Sequence, residues 1–235
     1  MSPMQYAKSP QNITSSVMER CALQLEKRRL TRLAKRTGDL LISAFLLVLL
    51  SPLFLVLAIA VSTDSKGGVF FRQTRIGRYG VPFTILKFRT MRVHDGGSEL
   101  TGREDDRVTR VGARIRGLRL DELPQLLNVL AGQMSLVGPR PESPRFVDCY
   151  SADERATLLV RPGITCRSSI AFANEAALFP PDCDPEAYYI ERILPAKCSM
   201  NIAYVENLSV FEDMAIAFAT VRGVLKKEIG EPNDE

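Results

Sequence analysis

The sequence predicts an α+β fold that sits on one face of a membrane, with a re-entrant helical hairpin, interfacial amphipathic helices and a small β-hairpin or sheet. Three observations carry the prediction. Residues 40–61 form one uncharged apolar run, LLISAFLLVLLSPLFLVLAIAV, interrupted at its middle by Ser51 and Pro52. Basic residues stand on both sides of that run. Downstream, GGVFFRQTRIG and VPFTILKFRTM are rich in β-branched and aromatic residues, and residues 77–80 separate them, which is the pattern of a short β-hairpin.

The elements follow in chain order. Residues 1–20 are polar, contain Pro and Ser, lack periodicity and read as a disordered tail. Residues 21–36, CALQLEKRRLTRLAKR, alternate Leu23, Leu30 and Leu33 with basic residues, as a surface helix leading into a bilayer would. The apolar run is about 33 Å long at ~1.5 Å per residue, enough for one crossing as a straight helix. Yet Lys27, Arg28, Arg29, Arg32, Lys35 and Arg36 precede it, and Lys66, Arg72, Arg75 and Arg78 follow. Segments rich in Lys and Arg stay cytoplasmic, so a simple span would export one of these flanks. A hairpin entering and leaving on the same face removes the conflict. Pro52 supplies the break and Ser51 can satisfy a freed carbonyl. A Pro-kinked transmembrane helix is the plainer alternative, and the charge symmetry favours the hairpin. The boundaries read as a tail over 1–20, a basic helix and membrane hairpin over 21–63, and a cytosolic catalytic domain on the membrane surface over 64–235.

Residues 94–106 are Gly-rich and charged, hence a loop, and helices are expected over 120–131 and near 151–160, 184–200 and 211–227. The net charge of +4 suits an anionic surface or phosphate-bearing substrates. Five scattered cysteines without a C-x-x-C pair read as free thiols in a reducing compartment, and a secretory signal is not expected because the apolar run starts late and runs long. His94 is the only histidine, and its neighbours VHDGG match no triad or zinc motif. Catalysis is therefore expected to run on carboxylates, basic residues and a hard metal ion.

The stretch that carries such chemistry begins with Arg103, Arg107, Arg110, Arg114, Arg116 and Arg119 and continues LDELPQLLNVLAGQMSLVGPRP. Leu123, Leu126, Leu127 and Leu130 follow helical spacing, and Asp121 stands where an N-cap belongs, with Pro124 in the first turn. Asp121 and Glu122 would then lie at a helix N-terminus beside many arginines, an arrangement suited to phosphate oxygens. On its own a DE pair is more often just a cap. Here, a carboxylate can attack phosphorus without a general base, and Mg²⁺ on one or two carboxylates with arginines would screen a diphosphate.

These residues also carry a family resemblance. KRTGDLLISAFLLVLLSPLFLVLAIA, GGVFFRQTRIGRYGVPFTILKFRTM, DDRVTRVGARIRGLRLDELPQLLNVLAGQMSLVGPRPE and VRPGIT resemble the bacterial sugar transferase family, the monotopic polyprenyl-phosphate phosphoglycosyl transferases. The match runs over 33–165 in the family's order and resumes weakly over 204–225. It implies transfer of a sugar 1-phosphate from a UDP-sugar to undecaprenyl phosphate, with release of UMP, at the start of surface-glycan synthesis. It implies Asp121 as nucleophile forming a covalent phosphosugar, and Glu122 as a second catalytic residue that assists the lipid phosphate in the second half-reaction and with Asp121 holds Mg²⁺. Lys87, Arg116 and Arg140 match phosphate-handling positions, Pro139 and Pro141 fix the turn around Arg140, and Arg89 and Gln125 join them as substrate contacts. Ser51 and Pro52 match the family's re-entrant break. The implied setting is a bacterial inner membrane with the catalytic domain in the cytoplasm; membrane lipid is a partner, a homodimer is compatible and nucleic acid is not a partner. After residues 162–165 the chain departs from the Trp-containing continuation of many members, reading Cys166-Arg167-Ser168-Ser169-Ile170, near the expected nucleotide or sugar contacts. A catalytically inactive tethered scaffold, or an anionic-ligand-binding protein, is the alternative; the binding protein gives Asp121, Glu122 and the GPRP turn no role, and the scaffold is disfavoured because the expected nucleophile and basic partners are all present.

Overall fold

A computed structural model describes residues 2–7, 15–92, 107–180 and 183–229; the loop expected at 94–106, His94 and Arg103 lie outside these. The chain opens with α1 (Pro3–Ala7) and α2 (Ser16–Lys27), the latter capped by Ser15, whose hydroxyl accepts the Met18 N–H at 3.1 Å. Residues 2–7 and 15–20 thus differ from the disordered tail expected over 1–20, the rest of which lies outside the described residues. Tyr6, Ala7 and Met18 are buried with Leu25, Tyr204 and Val205, so these few apolar side chains among polar ones hold the segment to the core.

α3 (Arg29–Leu49) and α4 (Ser51–Asp64) meet at a bend of 64°. Pro52 has no N–H to donate to the carbonyl four residues back, at Val48; Ser51 Oγ donates to that carbonyl instead, at 2.8 Å. Pro52 thus sits in the first turn of α4, where its missing donor matters least. Among the described residues no single helix is long and apolar enough to cross a membrane, and this bent pair passes the same test of length and composition together. One face of α4 packs on the protein: Leu57 and Val61 are buried with Phe88 and Ile115. Leu41, Phe45, Val48, Leu55, Val56 and Ile59 remain exposed.

β1 (Phe70–Ile76) and β2 (Pro82–Phe88) form the expected antiparallel hairpin, with Phe71 opposite Lys87. Its turn uses left-handed backbone at Tyr79 (φ 61) and Gly80 (φ 75). α5 (Arg110–Gly117) is capped by Thr109 and presses on the end of β2: a Cβ on Gly112 would lie 2.1 Å from the Thr90 carbonyl oxygen. A 3₁₀ turn, Leu120–Glu122, then leads into α6 (Gln125–Leu130). β3 (Ser135–Val137) pairs in parallel with β4 (Gly163–Thr165), and α7 (Pro144–Asp148) and a 3₁₀ stretch, Glu154–Leu159, lie between them in sequence.

The remaining helices are α8 (Arg167–Ala171), α9 (Pro185–Tyr188), α10 (Leu194–Glu206) and α11 (Val210–Ile229). The helix expected near 151–160 is thus a 3₁₀ stretch, and the one near 184–200 is interrupted by π-helical Tyr189–Ile193, just before Pro195, which cannot donate to the ladder. α11 presents Phe211, Met214, Phe218, Val221 and Leu225 outward.

Candidate active site

Arg119 adopts a left-handed conformation (φ 55), which turns the chain sharply out of α5 and into the Leu120–Glu122 turn. Such backbone costs a bulky residue about 1–3 kcal/mol and tends to persist where the surroundings over-determine it. The consequence is that Asp121 does not cap α6; Pro124 occupies that position, and Asp121 and Glu122 form a separate tight turn, both buried.

Two elements converge on Glu122. Lys87, near the end of β2, donates from Nζ to Oε1 at 2.8 Å. Arg140, in the turn after β3, donates from Nη2 to the same oxygen at 2.6 Å and from Nη1 to Oε2 at 3.4 Å. The turn holding Arg140 is fixed by backbone contact: Gly163 N–H donates to the Pro139 carbonyl at 2.9 Å, and a Cβ on Gly163 would stand 2.1 Å from the Gly138 nitrogen. Pro139 and Pro141 are buried and shape this turn.

The electrostatics separate the two acids. Burial opposes charge on Glu122, but Arg140 and Lys87 outweigh it and hold the carboxyl well below the usual range. Glu122 in turn pushes Arg140 up, against its burial. Burial lowers Lys87 despite Glu122. Asp121 moves the other way: burial, then the charge of Glu122, raise it, with Lys87, Arg116 and Arg140 opposing. Among the described residues the Asp121 carboxylate accepts no hydrogen bond and forms no ion pair, so its oxygens are free to react or to bind.

Both acids line an open cavity of about 1230 Å³. Among the described residues ten Lys and Arg side chains line it, against only these two carboxylates, which suits a ligand with several negative charges. Arg116 lines it and is held by Nε to Thr90 Oγ1 at 2.9 Å. Arg89 also lines it, buried at the exit of α4, where its Nη2 donates to the Ser65 carbonyl at 2.6 Å. Gln125 is different. The first turn of α6 directs it into the interior, where it is 1 % exposed and outside the cavity wall, apart from the other residues expected to contact substrate. Of the leucines at helical spacing, Leu126 is buried, while Leu127 and Leu130 are 42 % and 37 % exposed.

The chain matches the bacterial sugar transferase family over residues 30–227. It belongs to that family. Over about 200 residues it is 38% identical to the UDP-glucose:undecaprenyl-phosphate glucose-1-phosphate transferase of Caulobacter vibrioides, covering 82% of this chain and 70% of the relative. A Klebsiella pneumoniae protein of the same name is 37% identical over 82% of this chain, but the match spans only 40% of that longer protein. The exopolysaccharide production protein ExoY of Rhizobium meliloti is 36% identical over 82% of this chain and 85% of its own length.

Some cavity residues of this sugar transferase escape sequence reading. Thr220, Arg222 and Lys226 of α11 line the wall, as do Gln73 and Arg75 of β1. For α11 the available signal is its basic residues, Arg222 and Lys226. The divergent stretch after Thr165 folds as α8, capped by Cys166, whose Sγ accepts the Ser169 N–H at 3.3 Å, and Ser169, Ile170 and Ala171 reach the cavity.

Proposed function

We propose that this sugar transferase moves a sugar 1-phosphate from a UDP-sugar to undecaprenyl phosphate in two displacements at Asp121. In the first, an Asp121 carboxylate oxygen bonds to the sugar-bearing phosphorus, the bond to the bridging oxygen breaks and UMP leaves with that electron pair. In the second, a phosphate oxygen of the lipid attacks the same phosphorus and the Asp121–phosphorus bond breaks, giving undecaprenyl-diphosphate-sugar. The observation that carries this reading is the asymmetry of the acids. Asp121 is unengaged beside a Glu122 pinned by Lys87 and Arg140, in a wall rich in cations. The phosphotransferase names of the relatives support the reaction class.

The donor set fits a hard divalent cation. Asp121 offers two free oxygens and Glu122 Oε2 is only weakly held, at 3.4 Å; among the described residues no group of three metal-binding side chains occurs, so substrate oxygens would complete the shell. Mg²⁺ bound there would neutralise charge on the diphosphate. Lys87, Arg116 and Arg140 orient the phosphates and hold Glu122 in place.

We place the bent pair α3 and α4 in one leaflet as a re-entrant hairpin, with both basic flanks and the catalytic fold on the cytoplasmic face of the inner membrane. The 64° bend and the exposed apolar faces of α3, α4 and α11 support that seat. A site at headgroup depth reaches a polyprenyl phosphate, while the nucleotide sugar arrives from the cytosol.

The test is UMP release by detergent-solubilised protein with undecaprenyl phosphate, Mg²⁺ and a panel of UDP-sugars led by UDP-glucose. UMP from one donor, abolished by EDTA and restored by Mg²⁺, is the expected outcome. No UMP from any donor would favour an inactive scaffold, and full activity in EDTA would remove the metal.

A further inference from the structure

A second basic cluster lies away from the active site, in a small open cavity of about 40 Å³ between α3, the β1–β2 turn and the approach to β4. Arg32, Lys35 and Arg36 of α3, Arg78 of the turn and Arg161 converge on it. Arg32, Lys35 and Arg36 with Asp39 occupy one face of α3, at i, i+3, i+4 and i+7, opposite the exposed Leu30, Leu33 and Leu41. The negative charge here is already committed. Lys35 donates to Asp213 at 2.6 Å, and Asp39 accepts from Ser135 Oγ at 2.7 Å and the Leu136 N–H at 3.2 Å.

The four arginines form no ion pair with a carboxylate among the described residues. Arg36 donates to the Val129 carbonyl at 2.9 Å and Arg161 to that of Gly132 at 2.8 Å. Arg32 reaches only the Leu25 carbonyl, at 3.4 Å. Arg78 lies over the Tyr79 ring and donates to its hydroxyl, while its Nε is buried without a partner. Burial and then the charge of Arg78 lower both Arg32 and Arg161. An anion placed among these half-buried like charges would relieve their repulsion and could accept from the unmet Arg78 Nε. The cavity is larger than the ~10–15 Å³ that one water requires.

We propose that this cluster is a binding site for a phosphate-type anion, engaged chiefly by Arg32 and Arg78. The anion is either free phosphate or the phosphodiester of an anionic lipid headgroup, since α3 runs on into the apolar segment one turn later. The site does not depend on the reaction proposed above, and its test needs no turnover.

The experiment is thermal unfolding of the full chain in detergent, with inorganic phosphate against chloride at equal ionic strength. It uses the wild type, Arg32→Gln, Arg78→Gln and, to control for phosphate in the active site, Arg140→Gln. Phosphate about tenfold above its Kd should raise the wild-type midpoint by ~3 °C or more over chloride. That gain should persist in Arg140→Gln and vanish in Arg32→Gln and Arg78→Gln. Bilayer nanodiscs with and without phosphatidylglycerol distinguish the sources: a lipid occupant gives a gain from phosphatidylglycerol that both cluster variants lose and that free phosphate no longer adds to. A gain lost only in Arg140→Gln would assign the anion to the active site and overturn the proposal. So would no specific gain from either source, with Arg32→Gln simply more stable in every buffer, the mark of bare repulsion.

Discussion

Asp121 and Glu122 are neighbours in one 3₁₀ turn, yet Glu122 is bridged to Lys87 and Arg140 while the Asp121 carboxylate is unengaged and raised by its burial and by Glu122. Two adjacent acids thereby take separate tasks. One is a fixed anion that bridges β2 and the turn after β3, and the other keeps its carboxylate oxygens unengaged in the cavity wall.

Asp121→Asn should end activity and stabilise the fold. The folded pKa of Asp121 lies above its unfolded value, so the folded state favours the protonated form. That contribution is complete below the unfolded pKa and is lost as pH rises through the folded one. At pH 7 the ionised side chain is therefore a burden, and a neutral amide should raise the unfolding midpoint by roughly 2–4 °C, the shift that about 1 kcal/mol gives at this chain length. The gain should shrink near pH 4. Thermal scans at both pH values check it, and a lower midpoint at pH 7 would contradict it.

Glu122→Gln should act in the opposite direction. It leaves Lys87 and Arg140 buried without their anion, and breaking such a pair costs ~3–5 kcal/mol. Urea unfolding should register that loss, and Lys87→Met should lose activity while moving the acid limb of the pH–rate profile to higher pH, because Lys87 opposes the rise at Asp121. An unmoved limb would detach that limb from Asp121.

What the sequence disclosed and what it hid have physical reasons. The hairpin was legible because residues 77–80 supply Gly at both ends of a turn with left-handed backbone. The break in the apolar run was legible because Pro52 cannot donate and a serine stands beside it. Lys87 and Arg140 were flagged, but their shared bond to one Glu122 oxygen spans 35 and 18 residues, a tertiary fact that local spacing does not encode. The N-cap role of Asp121 failed because Arg119 takes an unusual conformation for its type. Gln125 lies in the interior off the cavity wall, a tertiary placement that local spacing does not encode, and the wall contributed by α11 comes from distant chain.

The Arg140 turn rests on the close approach of Gly138 and Gly163. Gly163→Ala would put a Cβ 2.1 Å from a backbone nitrogen, so it should destabilise by ~1–3 kcal/mol and lower turnover by displacing Arg140. Gly38→Ala, with nothing within 4 Å in the middle of α3, should instead be neutral or gain ~0.5–1 kcal/mol. Equal effects from the two, in paired unfolding and rate measurements, would refute the role of that contact.

Pro52→Ala restores the N–H that would reach the Val48 carbonyl, so α3 and α4 should straighten toward a single span. Tags at the two ends of the chain, probed with an impermeant reagent, should lie on one side in the wild type and on opposite sides in part of the variant population. Tags that stay together in both proteins would remove Pro52 as the determinant of topology.

The most direct measurement is the mass of the intact protein after mixing with the UDP-sugar that releases UMP, with no lipid acceptor present. The account predicts one added sugar phosphate, mapped by peptide analysis to Asp121, absent in Asp121→Asn and discharged when undecaprenyl phosphate is added. Full turnover with no adduct, or an adduct on another residue, would contradict the central claim.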